Sequence, residues 1–138
     1  MSGGVSLTSL RCIDTPSGAV LHALKKSSEG YAGFAEAYFS EIHEGAVKSW
    51  RRHSKMTLNL IVPVGTVRFV VRGQEGFEEF VLGRTPPAQY SRLTVSPGVW
   101  LAFQGRGPGT SLIVDITDFE HDPAEAETRE IDAFPFTW

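Results

Sequence analysis

The sequence predicts an all-β fold, a jelly roll or small barrel of about ten short strands. Three observations carry that expectation. The chain has 14 Gly and 8 Pro in 138 residues without a glycine period, so it is rich in turns. Between the turns stand short runs enriched in Val, Phe, Thr and Tyr, side chains that suit a pleated, half-buried surface. Only residues 31–42 and 122–130 compete as helix, and the first of these lacks a steady apolar stripe.

Residues 5–10 form the first run and end at the turn Asp14-Thr15-Pro16-Ser17-Gly18, after which 19–24 resumes. Residues 34–42 set the aromatic pair Tyr38-Phe39 among polar positions and stop at Glu44-Gly45. Residues 46–53 and 56–64 follow, and Gly65 turns the chain into 66–72. The stretch Gly73-Gln74-Glu75-Gly76 leads to 77–82, and Gly83-Arg84-Thr85-Pro86-Pro87 leads to 90–95. Residues 99–103 and 111–117 complete the set, joined by the hairpin connection Gly105-Arg106-Gly107-Pro108-Gly109. The polar segment 122–130 reads as one or two helical turns in a tail. Strands in this number must close on themselves or stack as two sheets to hide their edges, and inward positions then alternate with outward ones. Leu58, Leu60, Val62 and Val64 share one face of their run, and Asn59, Ile61 and Pro63 share the other. Both faces are fairly apolar, so periodicity leaves open which points inward.

A chain of this length is one domain, taken as residues 1–138. Thirteen basic and sixteen acidic side chains give a net charge of −3, which argues against global attraction to nucleic acid or to an anionic membrane. Cys12 is the only cysteine and cannot form an internal disulfide, which fits a reducing compartment. The longest clean apolar stretch, Leu60-Ile61-Val62-Pro63-Val64, is far shorter than the ~20 residues of a membrane span. Met1-Ser2-Gly3-Gly4 has neither the basic nor the apolar region of a secretory signal. The expectation is a soluble, cytoplasmic protein.

The segment 45–65 is the informative one. Gly45 is followed by five residues, Arg51, one residue, His53, four residues, Leu58, six residues and Gly65. This spacing resembles the first motif of the cupin superfamily, G-x5-H-x-H-x3,4-E-x6-G, with Arg51 and Leu58 standing at two ligand positions. Pro97, Gly98 and Leu101 resemble the second motif, P-x-G-x2-H, less closely, with Leu101 in place of its histidine. A divalent metal needs three or four converging N, O or S donors. Only His53 remains of the motif's set, so neither a metal nor another cofactor is expected in this frame.

Marks along residues 4–138 extend the resemblance. They are Gly4-Val5, Ala37-Tyr38-Phe39-Ser40, Gly45 with Lys48-x-Trp50, and Pro97-Gly98-Val99-Trp100-Leu101-Ala102-Phe103. The tail adds Glu120-His121-Asp122-Pro123-x-Glu125 and Phe136-x-Trp138. In this order they resemble the dTDP-4-dehydrorhamnose 3,5-epimerases and related nucleotide-sugar epimerases and isomerases. The resemblance implies a cupin jelly-roll barrel (double-stranded β-helix), a nucleotide-sugar ligand, a homodimer, and a place in deoxysugar or surface-polysaccharide synthesis. It also implies a histidine that removes the proton beside the sugar's 4-keto group and a tyrosine on the opposite face that returns one. The family's arginine-glycine-x-histidine run aligns with Lys48-Ser49-Trp50-Arg51, so its base becomes Arg51. A guanidinium with a pKa above ~12 cannot take up a proton at neutral pH. The tyrosine falls near Val114-Asp115, and no tyrosine follows Tyr90.

The expected function is therefore an epimerase or isomerase of a nucleotide sugar with an altered base. His53 and Asp115 are its catalytic candidates, with His53 either a weak base or simply a hydrogen-bonded interior histidine, and Lys48, Arg51, Arg52, Tyr90 and Trp100 are its candidates for substrate binding. Arg51 and His53 are two apart and share the inward face of a strand, whereas Lys48, Trp50 and Arg52 share the other. A guanidinium buried there would pair with Asp115 or grip a bound phosphate or carboxylate. Tyr90, Trp100 and Phe103 could stack on a base or sugar ring, or simply belong to the core. The alternative is a cupin that kept the barrel and lost the chemistry, as a non-catalytic binding or interaction module. Binding of single-stranded nucleic acid through the Arg-Trp cluster is a weak third reading at this net charge.

Overall fold

The computed structural model describes residues 4–74 and 76–138; Glu75, in the expected turn 73–76, and the first three residues lie outside the described set. Among the described residues there are twelve strands: β1 (Val5–Ser9), β2 (Cys12–Ile13), β3 (Val20–Leu21), β4 (Glu36–Ile42), β5 (Val47–His53), β6 (Leu58–Val64), β7 (Thr66–Gly73), β8 (Gly76–Gly83), β9 (Ser91–Val95), β10 (Trp100–Gly105), β11 (Ser111–Thr117) and β12 (Ala126–Thr128). They form two five-stranded antiparallel sheets, in the orders β1-β9-β6-β11-β4 and β12-β5-β10-β7-β8, with β2 and β3 as a separate small hairpin. The expected all-β jelly roll is what forms.

Two expectations change. The run 19–24 holds strand structure only at Val20–Leu21. The segment 122–130 is not an α-helix: a 3-10 turn at Pro123–Glu125 leads into β12, which pairs with β5. Asp122 starts that turn by accepting a hydrogen bond from the Ala124 amide, and Pro123 has no amide proton to satisfy there. Beyond that turn the segment takes part in the second sheet because the β5 edge offers it an unpaired ladder.

The two sheets face each other across a core in which Leu58, Leu60 and Val62 pack with Phe69, Val71, Leu82, Leu93 and Ile113. That answers the question periodicity left open. A register shift where β6 passes β11, between the pairs Leu112↔Val64 and Val114↔Ile61, breaks the alternation. Val64 is accordingly exposed instead of following Val62 inward. Gly65 (φ 80°) makes the turn into β7 where a Cβ would run into Ser111, whose hydroxyl binds the Thr66 amide.

The outer faces are covered as well, which is why both faces of the strands read as apolar. On the first sheet, buried Asn59 accepts from Arg92 and Thr94, and Arg92 donates to the carbonyls of Ala23 and Glu29 in the loop laid across it. On the second sheet, Trp50, Val70, Trp100 and Ala102 are buried beneath Ile131, Phe134, Phe136 and Trp138 of the tail. Arginines stack on this aromatic layer, with Arg72 4.1 Å from the Phe134 ring centre and Arg52 4.7 Å from that of Trp100. The tail thus clamps the outside of the sheet whose inside carries the site described next.

Candidate active site

Between the sheets, on the side of their edge strands β4 and β12, a cavity of about 400 Å³ is lined from six strands. Its floor is apolar: Leu58, Leu60, Leu101, Phe103 and Ile113 line it. Leu58 and Leu101 hold two of the positions that carry metal ligands in the cupin motif spacing. Among the described residues no three His, Cys, Asp or Glu side chains come together as a metal site.

Two polar pairs stand on the cavity walls. His53, on β5, meets Glu125 through Nδ1 at 2.6 Å. Glu125 comes from the 3-10 turn that precedes β12, so the pairing Ala126↔His53 sets it beside the histidine. The carboxylate also accepts from the backbone amides of Lys55 (2.8 Å) and Met56 (2.9 Å). Burial pushes its pKa up, but the hydrogen bond from His53 and the two amides prevail and hold it at about 2. The carboxylate therefore stays charged and fixes the ring, leaving Nε2 as the nitrogen that can work on a ligand.

The second pair lies on the first sheet. Asp115 sits opposite Tyr38 in the β11–β4 ladder, and the Tyr38 hydroxyl donates to Asp115 Oδ2 at 2.7 Å. Asp115 is 6% exposed, and its Oδ1 has no hydrogen-bond partner among the described residues. Burial raises its carboxyl to about 6, the Tyr38 hydrogen bond and Arg51 resist, and Glu36 adds to the rise. Burial and the neighbouring Asp115 likewise push the Tyr38 hydroxyl well above its ordinary range. Asp115 thus faces inward, into the cavity.

The cations differ from the sequence expectation. Arg51 lines the cavity but is exposed, and it forms no ion pair among the described residues. Of the two partners open to a buried Arg51, Asp115 forms no ion pair with it among the described residues; Tyr38, one strand away, donates to one carboxylate oxygen and the other is left without a partner. Lys48, expected on the opposite face, also lines the cavity. The pairs Leu101↔Arg51 and Phe103↔Lys48 place three residues of β5 against two of β10, a bulge that resets the alternation. Lys48 donates to the Ser40 hydroxyl (3.0 Å) and the Glu41 carbonyl (2.7 Å), and it forms no ion pair among the described residues.

Three sequence candidates lie elsewhere. Arg52 is on the outer face, paired with Glu127 and stacked on Trp100. Trp100 belongs to the aromatic layer under the tail, packed edge-on against Phe134. Tyr90 donates to the His22 carbonyl and does not line the cavity. Conversely, Tyr38 and Glu125 were visible only as members of the quoted motifs, Tyr38-Phe39 and Asp122-Pro123-x-Glu125. Pairing across strands distant in sequence gives them their place.

The jelly roll, the cupin motif spacing and an interior cavity flanked by a histidine–carboxylate pair and a tyrosine–carboxylate pair define the class as a cupin. Comparison with solved structures narrows the class. A dTDP-sugar isomerase from Desulfovibrio desulfuricans G20 superposes with a TM-score of 0.91 at 35% identity, over 99% of this chain and 91% of that one. The chain belongs to this family of dTDP-sugar isomerase and epimerase cupins. More distant structures share the fold: a sugar 3,4-ketoisomerase from Thermoanaerobacterium thermosaccharolyticum, solved with TDP, has a TM-score of 0.77 at 17% identity, over 92% of this chain and 89% of that one. A 4-keto-6-deoxy sugar epimerase from Streptomyces spheroides has a TM-score of 0.77 at 16% identity, over 91% of this chain and 69% of that one. No protein-family model and no curated protein matches the chain. No helix among the described residues is long and apolar enough to cross a membrane.

Proposed function

We propose that the chain is an isomerase or epimerase of a dTDP-linked 4-keto-6-deoxyhexose, with His53 as the base that removes the proton on the carbon beside the carbonyl. The observation that carries this reading is the His53–Glu125 pair on a cavity wall. A carboxylate held at about 2 by three donors fixes one imidazole nitrogen and leaves the other to accept a proton from a ligand. The cavity volume of about 400 Å³ suits a hexose, and the uncompensated cations Lys48 and Arg51 suit the diphosphate that follows it. Arg51 stands where the family resemblance places a histidine; with its charge fixed it serves here as an anion grip, not as a base. The reading carries with it a cytoplasmic homodimer acting in deoxysugar or surface-polysaccharide synthesis.

The alternative of a non-catalytic binding cupin has Leu58 and Leu101 at former ligand positions in its favour. It gives no reason for Glu125 to orient a cavity histidine. Calorimetric titration of the pure protein with dTDP, UDP and GDP tests the ligand class: dTDP should bind most tightly, and Arg51→Lys should weaken it by replacing a bidentate fork with a point charge. No heat with any of the three nucleotides removes the reading.

A further inference from the structure

Asp115 has a chemistry that the base His53 leaves undone. This holds where the cavity is a keto-sugar isomerase site, as proposed above. Conversion of a 4-keto sugar to its 3-keto isomer moves two protons. The C3–H bond breaks and a C4–H bond forms; the O3–H proton leaves, and O4 gains one. C3 is oxidised as C4 is reduced, so no external electron acceptor takes part. Epimerisation, by contrast, moves only the carbon-bound proton.

His53 presents one basic nitrogen to the cavity, since Nδ1 is engaged by Glu125. Arg51 cannot accept a proton. Lys48 is bound to Ser40 and to the Glu41 carbonyl. Tyr38 already donates its hydroxyl proton to Asp115 Oδ2. Asp115 is left: its side chain lines the cavity, it is 6% exposed, and Oδ1 has no partner among the described residues. A buried carboxylate oxygen is costly until a donor reaches it, and a sugar hydroxyl is such a donor.

We infer that Asp115 takes the proton from the sugar hydroxyl beside the carbonyl and returns it to the oxygen of the neighbouring carbon, while His53 carries the carbon-bound proton. Asp115 thereby commits the site to ketoisomerisation over epimerisation. Burial, resisted by the Tyr38 hydrogen bond and Arg51, brings the carboxyl to about 6, where it can hold and release a proton near neutral pH. Tyr38 keeps the carboxylate in place through its hydrogen bond to Oδ2.

The test uses the full-length protein with dTDP-4-keto-6-deoxyglucose in deuterated buffer and follows two signals by NMR: deuterium entering C3, and formation of the 3-keto sugar. Asp115→Asn keeps the shape and a hydrogen-bonding amide but cannot carry the proton. It should retain C3 exchange within about threefold, melt no lower than wild type, and lose ketoisomerisation by about 100-fold. Tyr38→Phe provides a second variant that leaves the carboxylate in place, and it should lose far less of the ketoisomerisation than Asp115→Asn. The inference is overturned if Asp115→Asn still isomerises within a few-fold of wild type. It is overturned equally if the variant loses exchange and isomerisation in parallel, since Asp115 then serves the site as a whole. If wild type exchanges C3 but yields an epimer, the inference falls while the broader reading of the cavity stands. If wild type does neither, the reading itself has failed.

Discussion

The two carboxylates at the cavity, Asp115 lining it and Glu125 behind His53, expose little surface, 6% and 8%, yet their acidities move in opposite directions. Glu125 is driven down to about 2 and Asp115 up to about 6. Burial disfavours charge on both. The difference lies in how deeply each is enclosed, Asp115 far more than Glu125, and in the donors each collects. Glu125 collects His53 and two backbone amides, whereas Asp115 has one tyrosine hydroxyl and a bare oxygen. A carboxylate saturated with donors is a fixture that orients its neighbour. One left short of donors is a site waiting for a ligand or a proton.

The sharpest way to break this comparison is to remove the saturated member. Glu125→Ala strands two backbone amides and frees the His53 ring, so at about 1–3 kcal/mol for each stranded buried group it should cost about 3 kcal/mol of stability or more. Turnover should fall with it. Urea unfolding showing a loss below about 1 kcal/mol would mean that the amides find other partners and that Glu125 is no fixture.

Asp115 should respond with the opposite sign. Its carboxyl holds a proton up to about 6 in the folded protein and to about 3.8 when unfolded, so its burial penalty is absent below pH 3.8 and fully present above pH 6. Through that window the group makes the protein less stable as the pH rises. Asp115→Asn should therefore stabilise the fold at pH 7 by up to about 3 kcal/mol, two pKa units at 1.36 kcal/mol each, and by nothing near pH 3.5. Glu125 works the other way: its stabilisation is present above 4.5 and lost as the pH falls towards about 2. Melting curves of wild type and Asp115→Asn from pH 3.5 to 8 that run parallel would erase the contrast.

Much of the fold was legible because turn residues punctuate the strands and Val, Phe and Thr fill them. The site was legible in part. His53 could be found because the cupin spacing from Gly45 to Gly65 is intact around it. The face of Lys48 could not, because simple alternation puts it opposite Arg51 and only the bulge against β10 brings the two together. The partners were hidden for a related reason: Glu125 lies 72 residues from His53, and Asp115 lies 77 from Tyr38. Such pairings follow from strand order, which is a property of the whole sheet. Trp100 and Tyr90 carry the opposite lesson, since aromatic residues with the right chemistry for stacking were taken up by the tail layer and by a loop carbonyl.

Smaller effects sharpen the contrast further. Tyr38→Phe removes the one donor Asp115 has among the described residues, and at the net worth of a hydrogen bond to a charged group it should change stability by about 1.5–3 kcal/mol while raising the Asp115 carboxyl further. NMR titration of the Asp115 side-chain carboxyl carbon reads that shift directly. The smallest structural effect should come from Arg51→Ala. The side chain is exposed and without an ion pair among the described residues, so stability should stay within about 0.5 kcal/mol while affinity for dTDP falls. A large drop in melting temperature would place Arg51 back in a buried pair.

In the proposed function Glu125 fixes His53 as the working base of this cavity. Incubation of dTDP-4-keto-6-deoxyglucose in deuterated buffer, followed by proton NMR at the carbon beside the carbonyl, tests it most directly. Wild-type protein should wash deuterium into that position, and His53→Asn should slow the exchange by about 100-fold or more. A wild-type protein that binds the sugar nucleotide without exchanging the proton, or a His53→Asn variant that exchanges it as fast, would contradict the account.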